Sequence, residues 1–182
     1  MDRVKVNGKF FKKHIGEEQI SCKVKKLAEE IDRDMKGRNP LVICVMTGAM
    51  FFAADLLREV SIECEITSVK LKSYEGTESS GRVKIDDTLK RSDIEGRQLL
   101  IVEDIVDTGL SMSSLLEEIS KLSPSDIKVA TLLSKPEARV YDVNIDYLAF
   151  EIPNYFVVGY GLDFDGYGRG LKDIYILDNN QL

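Results

Sequence analysis

The sequence predicts an α/β protein in which a mostly parallel central sheet carries helices on both faces. Three observations lead there. The runs LVICVM (41–46) and QLLIV (98–102) are apolar throughout and lack polar alternation, as strands covered on both faces do. Segments with apolar residues at helical steps alternate with such runs along the chain. The 182 residues, 43% of them hydrophobic, contain no repeat, low-complexity block or Pro/Gly-rich linker, which suits a single domain spanning 1–182.

The elements follow in order. In EEQISCKVKKLAEEIDRDM, Ile20, Val24, Leu27, Ile31 and Met35 recur at helical spacing, and Gly37 and Pro40 end the helix. LVICVM is then a buried strand, TGAM a turn and FFAADLLREV (51–60) a second helix. EITSVKLKSY (65–74) is a strand. The polar stretch 75–97 lacks apolar periodicity, so it is expected to be a long irregular segment of the kind that forms functional lids. QLLIVED is the next strand. Met112, Leu115, Leu116 and Ile119 mark a helix that begins at about Leu110 and stops near SPSD (123–126). IKVATLL (127–133), VNIDYLAFEI (143–152), YFVVGYGL (155–162) and IYIL (174–177) are further strand candidates.

Charge and composition narrow the function. A formal charge of −6 gives no general attraction to phosphate polymers and no basic block stands out, so no nucleic-acid partner is expected. The N-terminal MDRVKVNGKFFKKHIGEE is too charged for a signal peptide and no apolar run spans a bilayer; a cytoplasmic protein without a membrane partner is expected. Cys22, Cys44 and Cys64 are odd in number and widely spaced, which suits reduced thiols. The lone His14 has no acid or nucleophile at a telling spacing and is read as structural.

The stretch IVEDIVDTGLS (101–111) breaks the pattern, because Glu103, Asp104 and Asp107 follow a strand that should remain buried. In an open α/β sheet, ligands bind beyond the carboxyl ends of the strands, and this strand ends just before a helix. There, backbone N–H groups at the helix start, Gly109 and the hydroxyls of Thr108 and Ser111 form an anion cradle. Acids beside such a cradle fit a phosphorylated sugar whose hydroxyls they accept, or a ligand that brings a divalent cation. Asp107 is spaced onto a different face and suits proton transfer to or from an attached base. A solvated turn with Asp107 or Thr108 as an ordinary N-cap fits the same spacing. An aspartic protease does not, since its two facing aspartates stand on an all-β frame. Neither G-x-G-x-x-G nor G-x-x-x-x-G-K-[ST] occurs.

IVEDIVDTGLS resembles the phosphoribosyl-pyrophosphate signature of the type I phosphoribosyltransferases. MTGAMFFAADL, KSY, LLSKP and FEIPNYFVVGYGLDFDGYGRGL resemble further segments of the hypoxanthine-guanine members in particular, so that the likeness runs from about Glu17 to about Leu177. The resemblance implies a parallel sheet with a small hood, built from the N-terminal segment and about 150–182. It implies transfer of a 6-oxopurine base onto 5-phosphoribosyl-1-pyrophosphate with Mg²⁺ as cofactor. By matched position, Glu103 and Asp104 bind the ribose hydroxyls directly or through Mg²⁺, with Asp163 also linked to the metal. Asp107, Thr108, Gly109, Leu110 and Ser111 hold the 5′-phosphate, and Asp107 accepts the proton at purine N7. Thr47, Gly48 and Arg169 contact pyrophosphate. Ile105 packs on the purine, Lys135 donates to its 6-oxo group, Phe156 stacks on it and the Val157 backbone bonds its edge. Ser73 and Tyr74 open a mobile catalytic loop.

Taken without the family, Asp163 and Asp165 fit a Gly-rich turn, Phe156 and Val157 fit strand core, and Lys135 and Arg169 fit solvated charges. Where many relatives carry Lys or Arg in the pyrophosphate loop this chain has Thr47, which leaves the backbone N–H groups of Thr47, Gly48 and Ala49 for that task. The family often has a non-proline cis peptide there, implying one at Met46–Thr47, and the resemblance also implies a homodimer or homotetramer. Two other functions remain open at this point: a relative preferring xanthine or guanine, and a nucleotide-sensing RNA-binding regulator on the same fold.

Overall fold

The computed structural model describes residues 2–73, 83–85 and 89–178. The chain opens with β1 (Arg3–Val6) and β2 (Lys9–Ile15), then α1 (Glu17–Asp34), β3 (Leu41–Met46), α2 (Met50–Glu59) and β4 (Glu65–Ser73). Next come β5 (Val83–Ile85), α3 (Arg91–Ile94), β6 (Gln98–Val106), α4 (Leu110–Ser120) and β7 (Asp126–Ser134). A single 3₁₀ turn (Pro136–Ala138), β8 (Tyr147–Glu151), β9 (Val157–Val158) and β10 (Ile174–Leu177) complete it.

The central sheet has the order β5-β4-β3-β6-β7-β8. Its five strands from β4 to β8 run parallel, and β5 adds an antiparallel edge. Both faces are covered, which is why β3 and the first half of β6 read as unbroken apolar runs. Val42, Cys44, Leu100 and Val102 join the core layer that holds Ile20, Val24, Leu27 and Ile31 of α1 and Phe52 and Leu56 of α2. Leu41, Ile43, Leu99 and Ile101 join the opposite layer, under Ile94 of α3 and Met112, Leu115 and Ile119 of α4. Each fully buried Leu or Ile contributes about 1.5–3 kcal/mol, so these two layers hold the sheet between its helices.

A second, antiparallel sheet, β1-β2-β10-β9, stands beside the first and has a small core of Val6, Phe11, Val158 and Tyr175. Neither helical nor buried-strand patterning marks its N-terminal hairpin. The signal for it was present: Asn7 and Gly8 have φ of 45° and 83°, the left-handed pair that a two-residue hairpin turn requires.

Three boundaries differ from expectation. The polar stretch 75–97 is not wholly irregular, since β5 and α3 lie within it. The strand expected over 155–162 shortens to Val157–Val158, because Gly159, Tyr160 and Gly161 all take positive φ and turn the chain away. The strand expected over 143–152 narrows to Tyr147–Glu151. The Met46–Thr47 peptide is cis. The three cysteines are free, and burial pushes the Cys44 thiol up to about 11. His14 packs edge-on to Tyr155 with its pKa lowered by burial and by Lys12.

Candidate active site

β6 outruns its neighbour. The β3–β6 ladder ends at Cys44 opposite Val102 and the β6–β7 pairing skips Asp104, so amides at this end of β6 need other acceptors. The acid side chains supply them. Asp104 N–H donates to Glu103 Oε1 at 3.0 Å and Ile105 N–H to Asp104 Oδ1 at 2.8 Å. Glu103 is buried, and loss of solvent, reinforced by the adjoining Asp104, pushes its carboxyl well above the usual range. Asp104 is packed against the loop after β3: a Cβ at Gly48 would overlap its carboxylate, so any larger residue there would displace the Asp104 side chain.

Beyond β6 the chain turns at Gly109, whose φ of 87° starts α4. Thr108 C=O is turned outward and accepts the amides of Val140 and Tyr141, each at 2.9 Å. A Cβ on Gly109 would lie 2.5 Å from the Tyr141 carbonyl oxygen, so this close approach also needs glycine. Asp107, at the front of the turn, is 2.7 Å from the Nζ of Lys135. The lysine side chain is only 7% exposed against 44% for the aspartate, so the pair links the buried end of β7 to the open cleft.

The third wall comes from the turn after β9. Arg169 donates Nη1 to Gly161 C=O at 2.6 Å and pairs through Nη2 with Asp163 at 2.7 Å. The other Asp163 oxygen accepts Gly166 N–H at 2.6 Å. Gly161 in turn lies so close to the Gly48 carbonyl that a Cβ there would overlap it. The three walls enclose a cleft of about 350 Å³.

Eleven of the residues singled out in the sequence line that cleft: Gly48, Glu103, Asp104, Ile105, the five residues Asp107–Ser111, Asp163 and Arg169. Lys135 reaches it through Asp107. The rest lie outside the lining. Thr47 is exposed at the loop tip; Val157 is buried in β9; Phe156, 48% exposed, packs on Phe11 and Phe164 with ring centroids 6.3 and 5.6 Å away. Of Ser73 only the backbone is described, and Tyr74 falls outside the described residues. Ala49 N–H already donates to Val45 C=O at 3.2 Å, which reduces the amides offered by this loop to those of Thr47 and Gly48.

Known proteins share this sequence pattern and fold. The phosphoribosyl transferase domain profile matches residues 14–165. The chain belongs to the phosphoribosyltransferase family. It is similar to the hypoxanthine-guanine phosphoribosyltransferase of Streptococcus thermophilus, 41% identical over 164 residues covering 88% of this chain and 89% of that one. The hypoxanthine-guanine-xanthine phosphoribosyltransferase of Tritrichomonas foetus is also 41% identical, over 162 residues and 88% of each chain. A crystal structure of a hypoxanthine-guanine phosphoribosyltransferase from Bacillus anthracis, with a HEPES molecule in its active site, superimposes with a TM-score of 0.84. It is 39% identical and the match covers 91% of this chain and 98% of that one.

In this phosphoribosyltransferase, no three His, Cys, Asp or Glu side chains form a metal-binding group among the described residues. Asp104 and Asp163 nevertheless face one cleft from two walls. That donor set suits Mg²⁺, which keeps several waters and takes one or two carboxylates plus substrate phosphates rather than a complete protein cage. Glu103 suits it less, because it is buried whereas Asp104 is half-buried at the cleft. Sequence reasoning missed Arg139 and the 140–141 backbone, which brace the turn at Thr108 and Gly109. No motif marks them, because their role depends on where the segment after β7 returns.

Proposed function

We propose that this enzyme joins hypoxanthine or guanine to 5-phosphoribosyl-1-pyrophosphate, giving IMP or GMP and pyrophosphate. The observation that carries the reading is the meeting, in one cleft, of the amide turn at 107–111, the Glu103–Asp104 pair and the Asp107–Lys135 ion pair. The 5′-phosphate sits on the amides and hydroxyls of Asp107–Ser111, at the start of α4. Asp104 faces the ribose hydroxyls, with Glu103 behind it holding the backbone. Purine N9 attacks C1′ as the C1′–oxygen bond to pyrophosphate breaks, and Asp107 takes the proton from N7. Lys135 then donates to the 6-oxo oxygen, for which adenine offers an amino donor instead. That mismatch is worth about 1–3 kcal/mol, or roughly tenfold to a few hundredfold in selectivity.

Positive charge develops on the ribose ring as pyrophosphate leaves, so holding the reactants in line and meeting the anion's charge supply the rate. Arg169 and the amides of Thr47 and Gly48 receive the pyrophosphate. Mg²⁺, held by Asp104 and Asp163, would offset the diphosphate's charge when bound. Ile105, Phe156 and the Val157 backbone hold the base, and the loop opened by Ser73 and Tyr74 excludes water. We read the whole chain, 1–182, as one domain whose hood is the second sheet. It acts in the cytoplasm as a homodimer or homotetramer. No helix among the described residues is long and apolar enough to cross a membrane.

Steady-state rates with hypoxanthine, guanine, xanthine and adenine test the reading. We expect the two named bases to lead and adenine to be last; adenine as the best substrate would overturn the role of Lys135. The xanthine arm matters because one relative's name includes that base.

A further inference from the structure

The turn Asp107–Ser111 contains no basic residue, although a phosphate monoester brings a charge of about −1.5 to −2. Two cations that reach the cleft are already committed: Lys135 to Asp107 and Arg169 to Asp163. Arg139 lies directly behind the turn. Its Cδ is 3.1 Å from the position a Cβ on Gly109 would take. The guanidinium spans two strands' worth of chain, donating Nη2 to Ser134 Oγ at 2.8 Å and Nη1 to Val143 C=O at 3.2 Å. Its Nε is buried with no partner, and among the described residues no carboxylate pairs with it. A part-buried guanidinium without a counter-charge projects its field into its surroundings, and the turn is one of its neighbours, since the side chain's Cδ packs beside Gly109.

The same side chain is a mechanical link. Ser134, 2% exposed, is the last residue of β7 and immediately precedes Lys135. On the far side, Arg139 leads into Val140 and Tyr141, whose amides hold Thr108 C=O. The bridge from Ser134 to Val143 therefore fixes the start and end of the segment that braces the turn.

We propose that Arg139 is a positioning residue: it holds the phosphate turn in shape, supplies it with positive charge from behind, and ties it to the base-selecting lysine. This rests on the functional reading above. It is tested on the full-length enzyme with IMP as probe. The readouts are the IMP dissociation constant, KM for each substrate, and the pH titration of the bound 5′-phosphate by ³¹P NMR. Arg139→Met is expected to weaken IMP and raise KM for 5-phosphoribosyl-1-pyrophosphate by about 2- to 30-fold. KM for hypoxanthine and kcat should move far less, and the bound phosphate should titrate at higher pH. Arg139→Lys should restore the titration but not the full affinity. Ser134→Ala should weaken IMP with the titration unmoved. Wild-type affinity and titration in Arg139→Met would overturn the proposal. Should that variant not fold, wild-type IMP affinity in both Arg139→Lys and Ser134→Ala would do so. If the native enzyme itself gives no shifted ³¹P signal with IMP, the functional reading fails instead.

Discussion

At the scale of single residues, the ion pair between Asp107 and Lys135 is the feature that most constrains the chemistry. A lysine as buried as this one needs a counter-charge, and at 2.7 Å the Asp107 carboxylate supplies it. On the proposed reading, the base inserts between them or shares both, with N7 toward the aspartate and the 6-oxo oxygen toward the lysine. Asp107→Asn keeps an oxygen acceptor for the ammonium while removing the proton acceptor, so it separates chemistry from folding. Turnover should fall by about 10- to 10³-fold, the usual range for a general base, with KM for the base changed much less. Stopped assays at saturating substrate check it; unchanged turnover would remove Asp107 from the proton path.

At the scale of elements, one aspartate joins three pieces of the hood and the sheet. Asp173, just before β10, accepts Glu17 N–H in the first turn of α1 at 2.8 Å, pairs with Lys13 of β2 at 2.8 Å and accepts the Tyr175 hydroxyl at 3.0 Å. Gly16, at the helix N-cap, has no side chain for this task, so the cap comes from 157 residues away. The Lys13 ammonium first, then the Glu17 amide and the Tyr175 hydroxyl, hold the Asp173 carboxyl below the usual range. A depressed acid binds fewer protons folded than unfolded. Its stabilisation is therefore fully present above the ordinary aspartate value, near pH 4, and is lost as pH falls through the folded value. Asp173→Asn keeps an oxygen acceptor for the Glu17 amide but loses the charge that faces Lys13, so it should lower stability at pH 7 by roughly 0.2–1 kcal/mol, the range of a solvent-screened ion pair. Urea melts from pH 7 downward should show that gap closing in acid. A gap that stays constant with pH would mean that the carboxylate's charge contributes nothing.

At the scale of the whole molecule, the cleft is shared between two bodies of structure. Gly48 and the β6 turn belong to the parallel sheet, whereas Asp163 and Arg169 hang from the turn between β9 and β10 of the second sheet. Gly161 packed on the Gly48 carbonyl joins the two. A ligand touching both sides binds only where they are correctly opposed, and so stabilises the fold as a unit. IMP at about 100 times its dissociation constant should add about 2.7 kcal/mol to unfolding, seen as one shifted thermal transition. Inosine, lacking the phosphate, should give much less. Equal shifts from both would place the dominant contacts away from the turn at 107–111.

The sequence by itself determined the class of the sheet and the place of the cleft at its rim. Apolar runs such as LVICVM can be satisfied only with both faces covered, and IVEDIVDTGLS can be satisfied only at a strand end. These are local facts of pattern, and α1, β3, β6 and α4 follow them within a residue or two. The N-terminal hairpin was legible in principle, through Asn7-Gly8, but its partner strand β10 lies about 160 residues away and no local pattern pairs them. The roles of Arg139, Asp173 and the paired glycines at 48 and 161 were illegible for the same reason. Each depends on which part of the chain is packed beside it, and that is set by the folding of the whole chain rather than by any residue's own preference.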